Sequence, residues 1–140
     1  RHYDFISHNG ASCVIPILPD GRVLMVKQYR EVLDRYTLEI PAGKRDYGEN
    51  PAECGKRELL EETSISINIT EDNLVKVSSV KGRDPRGWVM SVAYKVIVNQ
   101  TDVKPMANTD AINVEWYDIN SLEKDKLAFD HYDIIQYAMR

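Results

Sequence analysis

Between Gly43 and Ile65 the chain reads GKRDYGENPAECGKRELLEETSI, and Arg57, Glu58, Glu61 and Glu62 fall within six residues of that run. Three carboxylates inside one helical turn repel one another, so the segment is either a solvated acidic face with basic partners or a site for a divalent cation and a phosphate. The start of the helix is legible: Asn50 suits the N-cap, Pro51 the first helical position, and Glu53 the acid of a capping box. A helix is predicted to about Thr63, with Ala52, Gly55 and Leu59 on its apolar stripe and Glu58, Glu61 and Glu62 sharing a neighbouring face. Glu58 and Glu62, one turn apart, can grip one ion or bridge two, and Arg57 is spaced to hold Glu61.

The rest of the chain supplies mostly strands. Ser12 to Leu18 and Val23 to Tyr29 flank the turn Pro19-Asp20-Gly21-Arg22 and read as a β-hairpin. A short strand over residues 37–40 is expected to stop at Pro41-Ala42-Gly43. Further strands are predicted over 74–80, 88–98 and 113–117, then a turn at 118–122 and a C-terminal helix over 130–140 with Ile134, Ile135 and Ala138 inward. That order predicts an α+β fold, an α/β/α sandwich with a mixed sheet.

The 140 residues fit one domain, taken as 1–140, and 43% hydrophobic content is enough for one core. No apolar run can span a bilayer, and the opening residues lack a signal-peptide apolar region, so a cytoplasmic protein is expected. A net charge of −4 without a basic stripe argues against nucleic acid as partner. Cys13 and Cys54 lack metal-ligand spacing and are expected to be reduced and buried.

The spacing within residues 43–65 resembles the Nudix box: Gly43, Glu49, Arg57, Glu58, Leu59, Glu61, Glu62 and Ile65 match, while Ser64 stands where the family has Gly. That Gly ends the helix with a left-handed backbone, which Ser64 can adopt only with some strain. The runs Val26-Lys27-Gln28-Tyr29-Arg30 and Leu38-Glu39-Ile40-Pro41-Ala42-Gly43-Lys44 are similar to the ADP-ribose pyrophosphatase branch of that family. The resemblance implies a Nudix fold and Mg²⁺-dependent hydrolysis (with Mn²⁺ as a substitute) of the diphosphate in ADP-ribose or a related nucleoside diphosphate-sugar. It also implies Glu58, Glu61, Glu62 and the Ala42 carbonyl as metal ligands, Arg57 as an orienting residue, and Asp110 as a candidate base. Arg30, facing the diphosphate or its neighbour Glu39, belongs to the implied substrate site together with Glu39, Arg83 and Arg86. Trp88 can stack on adenine or lie in the core. Phe129 is read as core, Asp130 as the N-cap of the last helix, and His131 is left out of the catalytic set. Relatives in this branch are commonly homodimers, which implies a homodimer here. Related domains that bind ADP-ribose to regulate transcription give an alternative, a sensor domain, and other nucleoside diphosphate derivatives remain possible substrates.

Overall fold

A computed structural model describes residues 10–78, 90–107 and 112–140. Strand β1 (Ala11–Ile17) is buried along almost its whole length, as expected of a strand covered on both faces. It pairs in parallel with β6 (Ser91–Ile97) on one side and antiparallel with the short β4 (Ala42–Lys44) on the other. Strand β2 (Val23–Arg30) lies between β3 (Arg35–Glu39) and β7 (Asn113–Tyr117), antiparallel to both. Strand β5 (Leu74–Ser78) pairs with β6.

Two expectations change here. The predicted β1–β2 hairpin forms but is short: Ile17 pairs with Val23 and Leu18 donates its N–H to the Arg22 carbonyl at 2.9 Å, and the pairing stops there because β1 is otherwise paired with β4 and β6. The segment Ala42-Gly43-Lys44 is itself a strand rather than a stop. Three residues are too few to show alternation, and its place is fixed by partners remote in sequence, Ala11 to Cys13.

Helix α1 (Pro51–Thr63) covers one face of this mixed sheet and helix α2 (His131–Ala138) the other. Alternation along β1 feeds both layers. Cys13, Ile15 and Ile17 join Val23, Met25, Ile134, Ile135 and Ala138 beneath α2, while Val14 and Leu18 join Leu24, Leu59, Ile65 and Tyr94 beneath α1. The α/β/α sandwich is therefore as expected. On α1 the buried residues are Cys54, Gly55, Leu59 and Thr63, with Ala52 only half-buried, so the stripe lies slightly around the helix from its predicted line. Both cysteines are buried and reduced. Among the described residues no helix is long and apolar enough to cross a membrane.

Candidate active site

The carboxylate cluster stands where β4 meets α1. Asn50 accepts from the Glu53 N–H at 2.8 Å, and the Glu53 side chain accepts from the Asn50 N–H at 2.8 Å, a complete capping box that fixes where the helix begins. From that start the 3.6-residue period carries Glu58 and Glu62 to the side facing β4. Gly43 makes the approach possible. A Cβ on it would lie 2.1 Å from the Glu58 carboxyl carbon, so only glycine leaves space for that carboxylate against the strand. One residue earlier, the Ala42 N–H donates to Glu62 Oε1 at 2.8 Å. Adjacent residues of β4 thus meet carboxylates one turn apart on α1.

Arg57 ties the outer side of the cluster together. Its Nε and Nη2 bind both oxygens of Glu49, at 2.7 and 3.0 Å. Its Nη1 reaches Glu58 Oε1 at 2.8 Å and Glu61 Oε1 at 3.1 Å, and Nη2 also donates to the Lys44 carbonyl at 2.9 Å. Asp46 closes the set at 3.3 Å. Hydrogen bonding from Arg57 holds the Glu49 carboxyl below the usual range. Burial acts the other way on the inner acids. It raises Glu58 against the pull of Arg57, and it pushes Glu62 up to about 8, with the Ala42 N–H opposing and the charges of Glu58 and Glu39 adding to the rise.

Arg30 also acts electrostatically on Glu62, which places the β2–β3 end beside the helix cluster. Glu39 is 1% exposed, and its carboxylate takes Arg30 through both Nε and Nη2, Gln28 Nε2 at 3.2 Å and Thr37 Oγ1 at 2.8 Å. Of the two orientations open to Arg30 in the sequence, the structure shows the one toward Glu39. Gln28 and Thr37 were missed in the sequence, although Val26↔Glu39 and Gln28↔Thr37 are cross-strand pairs that put them on Glu39's face. Phe129 was expected in the core. It is half-buried, with a φ of 52°, and its ring centroid lies 5.5 Å from the Arg30 guanidinium carbon. Asp130 does occupy the N-cap position of α2. His131 is buried and accepts from the Ile40 N–H at 3.3 Å through Nδ1. Arg83, Arg86, Trp88 and Asp110 lie outside the described residues.

The expected donors, the Glu58, Glu61 and Glu62 carboxylates and the Ala42 carbonyl, are the hard oxygen ligands that Mg²⁺ and Mn²⁺ prefer. Among the described residues no three acids, histidines or cysteines converge on one point as the side chains stand. Glu58 and Glu61 are drawn toward Arg57, and Glu61 is 47% exposed and able to turn. The residues therefore fit a hard divalent cation, with Glu61 moving to join Glu58 and Glu62.

Residues 7–138 match the family model described as NUDIX domain. Among curated proteins, the ADP-ribose pyrophosphatase of Bacillus subtilis (strain 168) is 40% identical over 76 residues, covering 54% of this chain and 39% of that protein. An ADPR responsive transcriptional repressor of Acinetobacter baylyi is 33% identical over 101 residues, covering 71% of this chain and 39% of its own. The chain thus spans well under half the length of these curated relatives. Among solved structures, the NUDIX domain of Shewanella oneidensis NrtR complexed with ADP ribose superposes with a TM-score of 0.77 at 23% identity, covering 92% of this chain and 84% of that one, which bears on the fold. With that architecture, an intact set of box acids around Gly43 and a family match over nearly its whole length, the chain belongs to the NUDIX family.

Proposed function

We propose that this domain hydrolyses the diphosphate of ADP-ribose, or of a closely related nucleoside diphosphate-sugar, to AMP and a sugar phosphate with Mg²⁺ as cofactor. The observation that carries the reading is the meeting of β4 and α1, where Glu58 fills the space over Gly43 and Glu62 lies against the Ala42 N–H. Glu58, Glu62 and the Ala42 carbonyl, with Glu61 turning in, hold the cation. When bound, the cation withdraws charge from the phosphoryl oxygens and lowers the pKa of a water.

The protein's own groups do the rest. Arg57, anchored on Glu49, orients Glu58 and Glu61. Arg30, fixed by Glu39, offers positive charge to the diphosphate at a stable angle. Water adds to one phosphorus, the bridging oxygen leaves with the other phosphate, and Asp110 takes the proton. Arg83 and Arg86 complete the anion site.

The reading is tested by assaying ADP-ribose with Mg²⁺ in the wild type and in Glu62→Gln, with product identification. Turnover is expected to fall by at least about 10²-fold, since a buried ligand is replaced by one without charge. Equal turnover in the two proteins sinks it.

A second reading, an ADP-ribose-binding sensor domain, is favoured by the 33% identity to a transcriptional repressor over 71% of this chain. The intact box acids favour hydrolysis over it. Calorimetry showing tight ADP-ribose binding without product formation would reverse that order.

A further inference from the structure

Phe129 comes from the far end of the chain, yet its ring lies beside Arg30. The contacts around it form a closed circuit. Arg30 binds Glu39. The next residue, Ile40, donates its N–H to His131 Nδ1. The His131 ring lies edge-on to the Phe129 ring, with centroids 5.8 Å apart. Phe129 returns the circuit to the Arg30 guanidinium at 5.5 Å. Just before this turn, Ala128 donates its N–H to the Leu38 carbonyl at 3.1 Å, and Leu127 bridges to Leu38 in parallel. Residues 127–131 are therefore fastened at Leu38 and Ile40, on either side of Glu39.

Phe129 sits in this circuit with a left-handed backbone, a conformation that costs free energy for any non-glycine residue. The surrounding bonds maintain the strained conformation, and it turns the ring toward Arg30. A guanidinium gripped by a carboxylate through two nitrogens and lying over an aromatic ring loses rotamer freedom.

We propose that Phe129 is a positioning residue: it acts through Arg30, holding the guanidinium in the orientation in which it meets the diphosphate. The inference rests on the diphosphatase reading for its kinetic consequence and on the circuit of contacts for its structural one. Binding of the diphosphate then depends on a loop that need not touch the ligand. The recognised chemistry is an anionic diphosphate, with selectivity against ligands that cannot meet a fixed planar donor.

The test combines kinetics with a direct view of Arg30. In Phe129→Leu, which keeps apolar bulk but removes the ring face, KM for ADP-ribose is expected to rise about fivefold with kcat within about twofold. The Arg30 Nε–Hε proton, observed by NMR without ligand, should exchange about tenfold faster than in the wild type. Phe129→Tyr restores both. In an Arg30→Gln background Phe129→Leu should change KM by less than about twofold, because the group it acts through is gone. An unchanged Arg30 Nε–Hε exchange rate in Phe129→Leu overturns the proposal, as does an equal rise of KM in the Arg30→Gln background. If the wild type does not turn over ADP-ribose, the function reading fails, while the exchange measurement still decides the role of Phe129.

Discussion

Gly43 has no side chain, and the Glu58 carboxylate fills the space where one would be. Gly43→Ala separates fold from function at a single atom. The new Cβ meets the far end of a flexible side chain, which can swing away, so stability is expected to change by less than about 1 kcal/mol. Glu58 then leaves its place over the strand, and Mn²⁺ affinity should drop about 10- to 100-fold, the usual range for a disturbed ligand support. Calorimetric Mn²⁺ titration beside a thermal melt checks this, and a variant that keeps its affinity refutes the role given to Gly43. Residue identities at this spot were readable in advance because the helical period fixes which acids share a face. The partners of Glu39 were harder to read. Its bonds to Gln28, Thr37 and Arg30 follow from the β2–β3 register, and a four-residue turn does not announce that register. Phe129 read as core because nothing local ties it to Arg30, ninety-nine residues earlier on another strand.

At the scale of elements, α1 is specified at both ends by its own sequence. The capping box starts it, and Ser64 ends it with φ 67° and ψ 11°, donating its N–H to the Leu60 carbonyl at 2.9 Å. The left-handed turn expected of the family's glycine is thus adopted by a serine. Relieving it by Ser64→Gly should raise stability by about 0.5–1 kcal/mol, reduced by the extra freedom of glycine in the unfolded chain. Urea denaturation measures this, and a destabilised variant would mean that the Ser64 side chain, whose hydroxyl approaches the Met106 carbonyl, matters more than the backbone strain. By contrast β4 escaped the sequence reading, because a three-residue strand has no pattern of its own and exists through its pairing with β1. The acids of α1 were therefore legible, and the strand that meets them was not.

For the whole molecule, buried charge links stability, metal and pH. The Glu62 carboxyl is raised by burial to about 8 from an ordinary 4.5. Its folded-state pKa lies above the unfolded one, so between pH 4.5 and 8 the native state holds a proton that the unfolded chain lacks. The resulting contribution is fully present below pH 4.5 and is lost as pH rises toward 8. Glu49, lowered by Arg57, works in the opposite sense and only in more acid solution, where stability falls as pH falls. Metal-free protein in chelator is thus expected to lose stability from pH 5 to pH 8, as read by urea denaturation. Divalent cation binding near pH 7 should release about one proton, measurable by calorimetry in buffers of different ionisation enthalpy. Binding without proton release would show that Glu62 is already ionised.

The parallel pairing of β1 with β6 has a consequence for how the molecule comes into being. Residues 11–17 find their inner neighbour only in residues 91–97, whereas β4 and α1 follow each other directly along the chain. During synthesis the carboxylate cluster and its strand emerge together, while the middle of the sheet waits with an uncovered edge until residues 91–97 exist. The nascent protein therefore holds the parts of its chemistry before it has a closed body to support them.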